Sequence, residues 1–361
     1  MRHDNSVSSV ARKAFSSRTT LDTSHDSELS SYLNSHGFAA INIDRQHVST
    51  NRLARVTTKD HGILWVKQGW KNRSPEGDLL AEGLAYLAAN LPNKNHFIPR
   101  CIIHDRMQDI IITKNIPGKT IRQESEEIFL KDELLARIGK RLAEIHIMVK
   151  DRVFVDQLSN HRTCPLPIIG PLSPNDFADQ SMASLDLIRH LQGDSELLSR
   201  LKLLKQGWSP SSVIHGDFRS DNILLAEDGS IILIDWEHAR LGDQLYDVGT
   251  YAADILESTV NTLWVEEETS IPAKKMALEL QEATIPAIQT FWHTYSDHLK
   301  HSYDPPSSLM MIGFMGAALL HRVYSSAMLK TVLHKQDLIL MSIARNLILN
   351  PIPASRKIGN S

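Results

Sequence analysis

Three early stretches alternate apolar and polar positions with a period of two, which is the pattern of half-buried strands. They are "AAINI" (39–43), "RLARVTT" (52–58) and, after the polar "KDHG" turn, "GILWVKQG" (62–69). Ahead of them "SELSSYLNSHGF" (27–38) predicts a short helix. Ser27 or Asp26 caps it, Leu29, Tyr32 and Leu33 share one face, and Gly37 ends it. "EGDLLAEGLAYLAANL" (76–91) switches to helical spacing, with Leu80, Leu84, Leu87 and Leu91 on one stripe and a proline just beyond. Two further strands, "RCIIHD" and "DIIITKN", carry the chain to residue 115, and "PGKT" (117–120) then breaks the pattern as a hinge.

Past the hinge the periodicity is mainly helical. "KDELLARIGKRLAEIHIMV" (131–149) and the segments 181–206, 251–301 and 307–347 read as helices, whereas the Pro-rich 159–176 reads as irregular. The predicted architecture is α+β in two lobes: a small β-rich lobe with one helix over 27–116, and a larger, mainly helical lobe over 117–361. Residues 1–26 are Ser-rich, with Arg2, Arg12, Lys13 and Arg18 set against Asp4 and Asp22, and read as a disordered leader. No apolar signal-peptide core is visible there. The longest apolar run, "LMMIGFMGAALL" (309–320), stops at His321-Arg322, short of the ~18 residues a spanning helix needs, and reads as a buried core helix.

Composition adds exclusions. A chain of 361 residues fits two lobes better than one small core. A net charge of −3 offers no electrostatic case for nucleic acid or an anionic membrane. Two cysteines, Cys101 and Cys164, lack metal-ligand spacing and suit a reducing, cytoplasmic setting. Nothing in the sequence speaks to oligomeric state.

The chemistry concentrates in "VIHGDFRSDNILLAEDGSIILIDWEHARLGDQLYDVGTY" (213–251). "NILLA" and "SIILID", joined by Glu-Asp-Gly, form a hairpin signature. Asn222 opens the first strand and Asp235 closes the second, so their side chains meet at one end. An amide oxygen and a carboxylate are hard donors that suit Mg²⁺, which takes its remaining ligands from water and substrate phosphates and so implies a nucleotide. Asp217, five residues before Asn222, is placed to accept a proton from an incoming hydroxyl. An aspartate, four residues, an asparagine and a second aspartate after the next strand is the spacing of a kinase catalytic loop.

His-Gly-Asp-x4-Asn followed by Ile-Asp-Trp-Glu resembles the aminoglycoside phosphotransferase and choline kinase group of small-molecule kinases, over roughly residues 40–255. The resemblance implies a protein-kinase-like fold. Lys67, at the end of the apolar strand in "LWVKQG", then holds ATP phosphates, Glu82 in "LLAEGLAYL" fixes that lysine, and the backbone from Lys114 to Ile116 in "ITKNIPG" meets adenine. One departure stands out: the turn "DRQHVSTNR" (44–52) has no glycine where a glycine-rich phosphate loop belongs. Ser49, Thr50 and Asn51 are left as hydrogen-bond donors to phosphate, and the choice between ATP and another nucleoside triphosphate is open. Only eleven residues separate Asp235 from Asp247, too few for a protein-kinase activation loop.

Around this core His215 reads as a brace of the loop, and Asp247, in "YDVGTY", as the family's helix aspartate behind it. Arg219 faces either the γ-phosphate or a surface carboxylate. Glu237 and His238 have no assigned role. The function implied is transfer of the ATP γ-phosphoryl, with Mg²⁺, to a hydroxyl of a small molecule. The alternatives are a kinase of Ser or Thr in a precursor peptide and a nucleotide-binding pseudokinase. The acceptor is expected against the helical lobe, near 159–176 and the helices after 250. There Asp254, Glu257, Glu266, Glu267 and Glu268 suggest a polycation, although an acidic helix face is more often simply solvated.

Overall fold

A computed structural model describes residues 23–46, 52–69, 97–148, 164–166, 172–265, 273–299 and 305–359. The first lobe is helix α1 (Thr23–Ser35) on a five-stranded antiparallel sheet of β1 (Ala40–Gln46), β2 (Arg52–Thr58), β3 (Gly62–Gln68), β4 (Cys101–Asp105) and β5 (Ile110–Lys114), ordered β1-β2-β3-β5-β4. Helix α1 begins at Thr23, inside the expected leader and four residues before the segment read as helical. Its Leu29 and Leu33 bury with Phe38, Ala54, Val56, Leu64, Val66, Ile110 and Ile112 in a small apolar core. The period-two reading of the strands holds because each strand offers only alternate side chains to that core. The helix read over 76–91 lies outside the described residues.

The second lobe begins with a correction. "PGKT" is no bare hinge, because β6 (Gly118–Thr120) pairs antiparallel with β8 (Ile223–Ala226), which pairs in turn with β9 (Ile231–Leu233). A Cβ at Gly118 would fall 2.4 Å from the Leu225 carbonyl oxygen, so this pairing needs a glycine. The short helix α2 (Glu126–Phe129) leads to α3 (Asp132–Met148). The stretch expected to be irregular holds one turn of helix, α4 (Pro174–Ala178), capped by Ser173. The helix read over 181–206 is two, α5 (Met182–Gln192) and α6 (Ser195–Gln206). It breaks at Gly193, and Asp194 caps the second helix by accepting the Leu197 N–H. Strands β7 (Ser212–Ile214) and β10 (Arg240–Gly242), which flank the β8–β9 hairpin in sequence, pair antiparallel with each other.

The remaining helices are α7 (Gln244–Val265), α8 (Ala273–Leu299), α9 (Pro305–Ala327), α10 (Lys335–Leu349) and α11 (Pro351–Gly359). Of the helical segments read from periodicity, 181–206 and 307–347 thus hold two helices each, whereas 131–149 is the single helix α3. At the α9–α10 break the Asp337 carboxylate takes hydrogen bonds from Lys330 and from the His334 N–H, starting a new helix. Residues 311–320 of α9 are all buried, its glycines included, and α9 packs against α7 and α10. Gly249 of α7 is one contact point, since a Cβ there would lie 2.8 Å from the Met315 nitrogen. Among the described residues no single helix is long and apolar enough to cross a membrane.

Candidate active site

The alternation that builds the first core also builds a roof on the sheet's other face. Lys67 sits between Leu53 of β2 and Ile111 of β5 in the strand register, and Trp65 is opposite Thr113. All five side chains line one cavity of about 420 Å³, a size ordinary for a small-molecule site. Lys114, Asn115 and Ile116 form its back wall, where the Trp65 indole N–H donates to the Asn115 side chain (2.9 Å). The floor comes from the second lobe: Gly118 and Thr120 of β6, Leu224 of β8, then Asn222, Ile234, Asp235 and Glu237.

Roof and floor meet at charge. The Lys67 ammonium pairs with the Asp235 carboxylate and stands 3.0 Å from Glu237 Oε2. Burial alone would raise the Asp235 carboxyl, but Lys67, with His215 and His238 near, holds it below the usual carboxylate range. Asp235 lies just past β9 rather than on its last position, in a left-handed conformation (φ 64, ψ 59) that few non-glycine residues adopt. Such backbone strain persists where surrounding bonds over-determine it. Here the Ile234 N–H donates to Asn222 O (3.0 Å) and the Ile234 carbonyl accepts from His215 Nε2 (2.9 Å).

The loop 215–222 is held on several sides. The Asn222 side-chain amide donates to both the backbone oxygen and the carboxylate Oδ2 of Asp217, each at 2.9 Å. With those protons committed, the amide oxygen is the group left for a cation, which fits a hard-oxygen site shared with Asp235. Among the described residues no group of three or more His, Cys, Asp or Glu forms a metal cage. Arg219 Nε lies 3.1 Å from Asp217 Oδ2 and its other end 3.8 Å from Asp221. Behind the loop, fully buried Asp247 accepts the His215 N–H (2.7 Å) and the Gly216 N–H (2.9 Å). It also contacts His146 Nε2 at 3.2 Å, and the other His146 nitrogen bonds the Tyr295 hydroxyl. Gly216 has φ +81, and a Cβ there would lie 2.3 Å from the His238 carbonyl oxygen. No other residue type fits.

Some residues of this site escape a reading by motif. Glu237 is nearly buried in the cavity beside Lys67. Asp254, grouped from sequence with acids awaiting a polycation, is fully buried and accepts the Ser220 N–H (2.8 Å), Arg122 (2.6 Å) and Arg322 (2.7 Å). Arg322 also binds Glu257 at 2.6 Å. Both acids are therefore neutralised within the fold rather than offered to a ligand. Burial works against ionising Asp254, yet Arg322 and Arg122 keep its carboxyl below the usual range. The spacing of Asp247 and Asp254, two helical turns on one stripe of α7, was a usable signal. Arg122 and Arg322 carried none. His321, beside Arg322, lies within electrostatic range of Asp217. Desolvation, with His238, Arg322 and Arg219, pushes its pKa down against the pull of that aspartate. Ser49, Thr50, Asn51, Glu82 and Glu266 to Glu268 lie outside the described residues.

Comparison with known proteins agrees with this geometry. Solved structures with the same fold include an amicoumacin kinase in complex with AMP-PNP, Ca²⁺ and amicoumacin (11% identity, TM-score 0.56, 94% of this chain and 96% of that one). A spectinomycin phosphotransferase bound to ADP and spectinomycin aligns at 13% identity and TM-score 0.52, covering 92% and 98%. The macrolide 2′-phosphotransferase of Brachybacterium faecium aligns at 13% identity and TM-score 0.51, covering 90% and 98%. No curated protein matches the chain in sequence. The sequence signature of the phosphotransferase enzyme family matches residues 81–274, more than half of the 361, and spans the loop, the hairpin and α7. The chain belongs to the phosphotransferase enzyme family.

Proposed function

We propose that the chain moves the γ-phosphoryl group of ATP, with Mg²⁺, to a hydroxyl of a small molecule. The observation that carries this reading is the pairing of Asp217 with Asn222 on one side of the cleft and of Lys67 with Asp235 across it. The nucleobase fits the apolar slot between Leu53, Ile111, Leu224 and Ile234, against the 114–116 linker. Lys67, released from Asp235 and Glu237, meets the phosphates. Asn222 and Asp235 would hold the metal, which supplies charge neutralisation on the phosphate oxygens.

Asp217 orients the acceptor hydroxyl and takes its proton as the new O–P bond forms. The bond from the γ-phosphorus to the bridging oxygen breaks, and ADP leaves with the electron pair. Because the transition state is loose, alignment outweighs basicity. Arg219, now on Asp217, is positioned to turn to the transferring phosphoryl group. The intact loop favours an enzyme over a pseudokinase. The engagement of Asp254 and Glu257 weakens the polycation reading among the described residues.

Asp217→Asn is expected to keep nucleotide affinity while phosphate transfer falls by ~10²–10⁴. Asp235→Ala is expected to abolish Mg²⁺-dependent ATP binding. Thermal shift with ATP, with and without Mg²⁺, reads the second, and phosphate release with small alcohols against Ser-containing peptides reads the first. Unchanged transfer in Asp217→Asn would sink the assignment.

A further inference from the structure

Asp247 and Asp254 stand on the same stripe of α7, and both are fully exposed to the loop and fully shut off from solvent. Asp247 holds the first half of the catalytic loop through the His215 and Gly216 amides. Asp254 holds the second half, because its Oδ2 takes the Ser220 N–H that opens the turn ending at Asn222. Its Oδ1 is shared by two arginines from distant segments of the chain. Arg122 follows Thr120 and precedes Gln123, both of which line the nucleotide cavity. Arg322 follows His321, which lies within electrostatic range of Asp217. Arg122 also reaches Ser258 (3.2 Å) and approaches Asp221 of the loop at 3.8 Å.

We infer that Asp254 is a positioning residue for phosphoryl transfer, setting the Ser220–Asn222 turn while Arg122, beside the nucleotide cavity, and Arg322 hold its carboxylate in place. The inference rests on the function proposed above. Buried ionic clusters are a weak source of stability, since desolvation offsets most of their attraction. This cluster does something an apolar filling would not: it offers a directed acceptor to one backbone amide of the loop. The Asn222 amide reaches Asp217 only if that turn is in register, so the cluster acts on the reacting groups through Ser220.

Ser220→Pro isolates the link. It removes the one N–H that Asp254 accepts and leaves both arginine pairs in place. Arg219 is already extended (φ −148, ψ 165), as a residue before proline must be, and the first position of a helical turn accepts proline. Arg122→Gln, at a half-buried site, weakens the same link from the nucleotide side. Both variants are expected to keep Mg²⁺-ATP affinity within about twofold and to lower kcat at least tenfold, with effects that do not add in the double variant. Hydrogen exchange, which needs no acceptor, is expected to speed up at least tenfold over 213–226 and to stay unchanged in α8 and α10. Unchanged kcat and unchanged loop exchange in both variants would overturn the inference. So would a uniform loss of melting temperature and nucleotide affinity, the mark of a merely structural role. If the wild-type protein transfers phosphate to no acceptor, the functional reading fails, and the exchange measurement still decides whether Asp254 sets the loop.

Discussion

The roof and the floor of the cleft are positioned in different ways. In the roof, Leu53, Trp65, Lys67, Ile111 and Thr113 face the cavity because strand neighbours alternate and the register sets them side by side. In the floor, no local period aims Asp217, Asn222 or Asp235. Their loop is irregular and hangs from buried carboxylates some thirty residues later in the chain. A sheet tolerates the loss of one facing side chain, since its backbone ladder survives. A suspended loop loses its shape when one acceptor goes, because several buried amides lose their partner together.

Three perturbations test that contrast. The largest effect is expected from Asp247→Ala, which strands the amides of His215 and Gly216 and one His146 nitrogen in a fully buried site. Unpartnered buried groups cost about 1–3 kcal/mol each, so urea unfolding should register a loss of roughly 3 kcal/mol or more. A loss below about 1 kcal/mol would mean that the loop supports itself and the contrast is false.

Lys67→Met comes next and should act on binding instead. Removing one charge-assisted contact to phosphate is worth about 1.5–3 kcal/mol, so nucleotide affinity is expected to fall by tenfold or more. The sheet should melt nearly as before. Calorimetric titration with Mg²⁺-ATP beside a melting curve separates the two, and a large drop in melting temperature would erase the distinction between roof and floor.

The smallest effect concerns His321, which lies within electrostatic range of Asp217. Its folded pKa lies below the ordinary 6.5, so the unfolded chain takes up the proton first as pH falls. Stability should therefore decline as pH drops through 6.5, until the folded histidine is protonated as well. Denaturant unfolding at about pH 7.5 and pH 5.5 should show this slope in the wild type and a shallower one in His321→Asn. An identical slope would remove His321 from the electrostatics of the site.

The sequence and the structure divide the protein unevenly. Strands β2 to β5 were legible to within a residue at each end, whereas β1 runs three residues past its expected end and the three-residue strands β7 and β10 were not read, being too short for a period to show. Helix existence was legible in the second lobe, but helix ends were not. Gly193 with Asp194, and the turn held by Asp337, cut runs whose apolar periodicity continues across the break. "PGKT" read as punctuation and became strand β6, because its pairing partner lies a hundred residues away. In the site, Asp217, Asn222 and Asp235 stood out by spacing, and Lys67 by its place at a strand end.

The sequence by itself determined the α+β plan, a strand-rich first part followed by a helical second, and the kinase-like spacing of Asp217, Asn222 and Asp235. The plan rests on local periods, the spacing on one short motif, and the role expected of Lys67 on the resemblance that motif carries. Only the tertiary structure decided that Glu237 sits beside Lys67, that Asp235 is held in a left-handed conformation, and that Asp254 serves the loop rather than a ligand. An exposed carboxylate and a buried one are the same letter in a sequence. What separates them is whether arginines from distant elements, here Arg122 and Arg322, arrive to offset the cost of burying the charge.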